Sequence, residues 1–369
     1  MLFLRSCSKC ARLKSILSNP SHDEISIFFR TLSNSQTVST ALSLARLSEN
    51  SLDFPDLSEH SSENFKSVFT SKNDKHKILL FPSLARLSQT QSFDSQFRDL
   101  ATETAESLLT NENISILEKL AISISVSQLS LRSPELFKAI SAIPVSEIPQ
   151  KYLPSFFLAV ATLGINSLKF VNSISAQIQI ESVNVDGLID ICLAVATLID
   201  FFPISLIQEI ENKVRGMELG SEQSLELSWL FSVLNLEESC RFVFSKIDKN
   251  LTQEKRFSQI CIFLGKEFIP SDPPEPSIYP ERFEIEEFFG IRNSSPKTIK
   301  NFYISDVPSS PFFVILDDSC FPESLAPVDP FVKLKKKQIE ETGETVFWVN
   351  LHQWRSLETN EEKKRFLNI

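Results

Sequence analysis

The chain has 369 residues, 42% of them hydrophobic, and a formal net charge of −10. That composition supplies a sizeable core with room for two or three domains and excludes a disordered polymer. The acidic balance excludes a surface coated in phosphate-binding cations, so any nucleic-acid site has to be local. Seven glycines against thirty-one phenylalanines favour a helical body over a many-turned sandwich, because tight turns call on residues that tolerate positive φ.

The opening stretch, MLFLRSCSKCARLKSILSNPSH, carries Arg5, Lys9, Arg12 and Lys14 and no acid before Asp23. Leu2, Leu4, Leu13, Ile16 and Leu17 give it an apolar side, which is the composition of an organellar presequence. A presequence is therefore expected over 1–32, with the mitochondrial matrix as the destination ahead of a plastid. No run of about eighteen apolar residues occurs, so no membrane insertion is expected. Cys7 and Cys10 lack a second pair, and the other cysteines at 192, 240, 261 and 320 are too scattered for a disulfide framework. His22, His60, His76 and His352 are equally dispersed. No metal site and no cofactor are assigned.

From about 37 to 268 the sequence runs in helical periods broken by short polar or proline-bearing segments. A loose apolar motif returns at Ile124 (ISVSQLSL), Leu158 (LAVATLGI), Leu193 (LAVATLID) and Trp229 (WLFSVLNL), with separations of 34, 35 and 36 residues. That spacing is two short helices plus two turns, so 116–268 reads as helical-hairpin repeats in an α-solenoid-like array. LARLS at Leu44 and again at Leu84 extends the array upstream as irregular repeats over 33–115.

Residues 270–282, PSDPPEPSIYPER, hold five prolines in thirteen and cannot continue a helix. The linker is placed at 269–282 and a small α/β domain at 283–369. PFFVILDD (311–318) and ETVFWVNL (344–351) are short, nearly continuous apolar runs, the mark of strands covered on both faces. Between them PVDPFVKLKKKQIEETG reads as a helix, with Asp329 as its cap, Pro330 in its first turn and Gly343 just past its end. Strand, helix and strand in that order imply a parallel pair. A final short helix is expected over Glu361 to Leu367.

These residues resemble a RAP domain, the module that closes FAST-kinase-like proteins and many octotricopeptide-repeat and apicomplexan organellar proteins. The likeness lies in the strand ending at Asp317–Asp318, the basic helix around Lys333 to Lys337, Gly343 before the second strand, Trp354 after it and the terminal EEKKRFL. It covers about the last sixty residues. The resemblance implies organellar RNA metabolism and a restriction-endonuclease-like fold. It does not by itself imply catalysis.

A metal-dependent nuclease needs acids on adjoining strands and usually a lysine nearby. Asp317 and Asp318 would supply the first ligand, but TVFWVNL offers no acid-x-lysine. The Asp-Gly-Pro-x-His-like turn of many RAP domains is replaced here by Asp318-Ser319-Cys320-Phe321-Pro322, which removes the family histidine. No catalytic residues are assigned.

The candidate RNA contacts are cations. Lys333, Lys336 and Lys337 share a helix face, and Lys363, Lys364 and Arg365 form a second cluster beside Arg355. Pairing with Glu340 and Glu341, or with Glu361 and Glu362, is the competing role. Trp354 is a further candidate, by stacking on a base, set against a core role pinning the last helix to the sheet. The expected protein is a noncatalytic RNA-binding factor of mitochondrial ribosomal or messenger RNA. It would act as a mitochondrial ribosome component or an assembly or RNA-processing factor, alongside ribosomal or assembly proteins. A protein-binding helical scaffold and a metal-dependent nuclease are the alternatives.

Overall fold

The computed structural model describes residues 33–48, 58–88, 93–165, 167–198, 203–247, 255–266, 281–288, 298–299, 303–307, 313–317 and 330–367. The expected presequence, Asp318 with the turn after it, Asp329, and residues 269–280 of the linker lie outside this set. The chain divides into two compact units, one ending at Tyr152 and one beginning at Leu153. The division falls inside the segment expected as one run of hairpins, and the α/β module shares the second unit with the helices that precede it.

In the first unit α1 (Asn34–Ser48), α3 (Asp74–Leu87) and α5 (Ile116–Gln128) pack in succession. The intervening α2 (Ser58–Thr70), α4 (Ser95–Thr110) and α6 (Pro134–Ser141) form a second layer on them. Helix starts follow the capping chemistry of the sequence. Asp94 accepts from the Phe97 amide at 2.6 Å, Ser115 and Glu118 form a reciprocal capping box, and Ser133 precedes Pro134 at the first turn of α6. Phe65, Phe69, Phe81 and Phe97 fill the space between layers, with ring centroids of Phe69 and Phe81 5.1 Å apart.

The second unit continues the two-layer pattern. Helices α7 (Leu153–Leu163), α9 (Val185–Thr197), α11 (Ser221–Val233) and α13 (Lys255–Phe263) pack one on the next. Of the second layer, α8 (Leu168–Ser175) packs on α7, and α12 (Glu237–Phe244) packs on α11 and on α10 (Ile204–Arg215). Ala159, Ala161, Ala194 and Ala196 are buried where α7 meets α9, because small side chains let the two backbones approach.

The repeated apolar motif occupies the second half of α5, α7, α9 and α11. What the motif writes at its end is a stop. Ser130, Gly164, Asn235 and Gly265 follow α5, α7, α11 and α13 with φ of 52°, 76°, 63° and 65°. The next residue in each case donates its amide five positions back: Leu131 to Val126, Ile165 to Val160, Leu236 to Phe231 and Lys266 to Cys261, at 2.8–3.1 Å. This left-handed cap closes the orphan carbonyls of each helix and turns the chain into its second layer.

After α14 (Glu281–Phe288), β1 (Thr298–Ile299) and β2 (Tyr303–Ile304) form a short antiparallel pair. Then β3 (Phe313–Asp317), α15 (Pro330–Glu340) and β4 (Val346–Asn350) realise the expected strand, helix and parallel strand. Gly343 stands past the helix end with φ 85°. Both sheet faces are covered. Val314, Leu316 and Val349 pack with Ile285, Trp354 and Leu367, while Ile315 packs with Tyr303 and Ile339. The chain closes with α16 (Leu351–Ser356) and α17 (Asn360–Phe366), the latter matching the expected final helix within a residue. Among the described residues no helix is long and apolar enough to cross a membrane.

The caps make a stability prediction. Replacing Ser130 by Gly relieves the left-handed strain of an L residue, partly offset by glycine's greater unfolded freedom, and is expected to raise stability by about 0.5 kcal/mol. Gly265→Ala meets no atom within 4 Å of the new Cβ, so its expected loss of about 1 kcal/mol is a pure backbone cost. Urea midpoints at unchanged m-value check both.

Candidate functional site

The lysine-rich helix α15 buries Leu334, Gln338 and Ile339 and packs on α9, α11, α13 and both long strands. Its cations flank that buried stripe and reach into the array. The Lys333 ammonium donates to the carbonyl of Ala196, in the last turn of α9, at 3.2 Å. The Lys337 ammonium donates to the Asn235 side chain at 2.7 Å, on the cap that ends α11. Each lysine thus meets the negative end of a helix, where a cation contributes about 0.3–1 kcal/mol. Lys336 faces elsewhere, 3.9 Å from Glu340 and 5.0 Å from the Trp348 ring centre.

Between these lysines and the strands lies a buried polar chain. The Trp229 indole of α11 donates to Gln259 Oε1 of α13 at 2.7 Å. Gln259 Nε2 donates to the Tyr303 hydroxyl of β2 at 3.0 Å, and that hydroxyl donates to Gln338 Oε1 of α15. Gln338 Nε2 returns to the Gln259 carbonyl at 2.9 Å, closing a ring. Gln259, Gln338 and Tyr303 are 0%, 1% and 2% exposed. Burial pushes the tyrosine hydroxyl well above its ordinary pKa, so it stays a neutral donor. Every donor in the ring finds an acceptor, which is the condition for a buried polar network to be stable.

A second buried group lies on the sheet edge. Asp306 donates its amide to the Val314 carbonyl and accepts the Leu316 amide on its carboxylate at 2.8 Å. Lys335 stands 3.7 Å from that carboxylate, with both side chains nearly covered. Desolvation raises the Asp306 pKa, and the Lys335 charge partly opposes the rise.

The C-terminal cations are paired. Arg355 meets Glu281 at 2.6 Å, Lys363 bonds Glu284, and Lys364 stands 3.9 Å from Glu361. Trp354 is 1% exposed and donates its indole to Glu284 at 2.9 Å, with Phe288 and Phe366 against its ring. This corrects the expectation that Trp354 offers a face to a base: the ring is core, pinning α14 and α17 to the sheet. Lys364 and Arg365 remain exposed on α17.

The structure therefore brings Lys333 and Lys337 to the array and sets Arg355, Lys363, Lys364 and Arg365 on the far side of the sheet with α14, α16 and α17. At the strand ends the register places Asn350, not an acid, opposite Asp317. Among the described residues no three His, Cys, Asp or Glu side chains come together as a metal site. Sequence reasoning missed Gln259, Tyr303, Gln338, Asp306 and Lys335. The legible signal was the pair of glutamines standing inside apolar helix periods, FSQICIF and KKQIE, where a buried amide needs a partner.

No protein-family model matches this chain. No curated protein sequence matches it. Its function has to be read from its own residues.

Two substitutions test the junction. Tyr303→Phe leaves the Gln259 and Gln338 amide groups without the hydroxyl between them and is expected to cost about 2–3 kcal/mol in urea unfolding. Asp306→Ala removes the carboxylate that faces the covered Lys335 charge, an expected loss of about 3 kcal/mol, and adding Lys335→Met should recover most of it. The folded-state pKa of Asp306 is raised, so the folded protein binds this proton more tightly than the unfolded one. Its contribution to stability is greatest at low pH and is lost as pH rises through the window between the unfolded and folded values. That slope should vanish in Asp306→Ala.

Proposed function

We propose that this chain is a noncatalytic organellar RNA-binding factor of the RAP-domain kind, imported into the mitochondrial matrix. It acts on ribosomal or messenger RNA together with mitochondrial ribosomal or assembly proteins. The observation that carries this reading is architectural: a two-layer array of helical hairpins runs into a parallel strand–helix–strand unit closed by two short helices. Those are the elements, in the order, on which the resemblance to RAP domains rests. The noncatalytic part is supported by the register, since a strand pair offering Asp317 beside Asn350 lacks the second carboxylate that metal-assisted cleavage uses.

Within the terminal module, RNA contact is assigned to Lys364 and Arg365. They lie exposed in the last turn of α17, and a surface pair such as Lys364–Glu361 is weak enough to exchange for a phosphate. Lys333 and Lys337 hold the module to the array instead.

A protein-binding scaffold is the second reading, favoured by how many cations are already spent on carbonyls. Lys213 donates to the carbonyls of Ile180, Glu181 and Val183, and Lys246 to that of Met217. Ultraviolet crosslinking of the tagged protein in intact cells, followed by RNA recovery, separates the two. RNA well above background is expected, falling about tenfold in a Lys364→Glu, Arg365→Glu double variant. Background RNA with proteins still co-purifying would transfer the assignment to the scaffold.

A further inference from the structure

We infer that the first unit carries a docking groove for an acidic amphipathic helix of a protein partner, a site separate from the proposed RNA contact. Helices α3 and α5 bury one side against their neighbours and leave the other side open. On that open side α3 presents Lys75, Leu79, Pro82 and Arg86 at helical spacing, and α5 presents Leu117, Ala121 and Ile124. Between them lies a half-open groove of about 340 Å³, lined among others by Pro82, Arg86, Leu117, Ala121, Ile124 and Tyr152. Leu79 and Leu117 are 60% and 50% exposed, an arrangement that a monomeric surface seldom leaves uncovered.

Shape and charge select the occupant. The two walls run for three turns, about 16 Å, and offer apolar positions at every turn, which fits the apolar stripe of a helix laid into the groove. Among the described residues, Arg86 is the one charged side chain in the lining, and no acid lines it. Exposed cations stand around the groove. Lys75 precedes Leu79 on the same side of α3, and Lys151 holds its ammonium 4.6 Å from the ring centre of Tyr152, a lining residue. Glu118, the nearby acid on α5, is kept ionised by the Ser115 cap and offsets Lys75, so Arg86 and Lys151 carry the positive character of the rim. An apolar trough with a cationic rim complements a helix whose leucine stripe is flanked by Asp or Glu. Nucleic acid fits it less well, because the walls expose aliphatic side chains and, among the described residues, Tyr152 alone brings an aromatic ring to the lining.

The test uses the full chain and two labelled synthetic peptides, each about 18 residues long with the same leucine stripe, one flanked by glutamate and one by lysine. Fluorescence anisotropy should show the glutamate peptide binding about tenfold more tightly than the lysine peptide. Leu117→Glu, an exposed position whose change spares the core, should abolish that binding. Arg86→Glu should reverse the charge preference, and Leu168→Glu in the second unit should leave it intact. Equal binding of both peptides, absence of binding, or indifference to Leu117→Glu would each overturn the inference. Displacement of the peptide by single-stranded RNA would overturn it in favour of a nucleic-acid groove, without bearing on RNA contact at Lys364 and Arg365.

Discussion

The second unit depends on a buried ring of three hydrogen bonds, with the Trp229 indole bonded onto it as a fourth. Trp229, Gln259, Tyr303 and Gln338 come from α11, α13, β2 and α15, so the last hairpins and the α/β module share one polar core. An apolar contact would tolerate sliding of a helix by a fraction of a turn. A closed amide–hydroxyl ring does not, because every donor has one acceptor at one distance. The geometry of α15 follows: with Gln338 fixed, Lys333 and Lys337 arrive at the ends of α9 and α11, and Lys335 arrives at Asp306.

This explains why a basic helix in an acidic protein is not simply a phosphate-binding face. Acids outnumber cations here, and four lysines are held within the fold: Lys333 at the end of α9, Lys337 at the Asn235 side chain after α11, Lys213 at the turn before α9 and Lys246 at the connection before α11. An ammonium held at a carbonyl keeps its charge but has to give up that bond to reach a phosphate, which leaves recognition to smaller features. The exposed end of α17 and the rimmed groove of α3 and α5 are such features, and they lie in different units.

Much of the architecture was legible because it rests on local chemistry. The apolar motif returning at Ile124, Leu158, Leu193 and Trp229 marked helices whose packing is periodic, and the Pro330 and Gly343 signals bracketed α15 correctly. Strand identity was legible from FVIL and VFWV because both faces are buried. The short β1 and β2, α14 and the Asp306 edge were not legible, since each is defined by a distant partner and not by its own period. The same limit governed the candidate site. The spacing of Lys333, Lys336 and Lys337 suggested one shared face, but the structure sends Lys333 and Lys337 to Ala196 and Asn235 and Lys336 to Glu340 and the Trp348 ring. For Trp354 the core role won because Phe288 and Phe366 cover its ring and the half-exposed Glu284 accepts from its indole.

The recurring left-handed cap has a consequence for how such a chain changes over time. The turns after α5, α7, α11 and α13 are each completed by bonds within a six-residue span, so they do not borrow atoms from the hairpins on either side. A whole hairpin copied or lost between two caps would leave the neighbouring turns intact and disturb only the faces it touches. The array is in that sense modular in length, while the ring around Gln259 ties its final member to one particular ending.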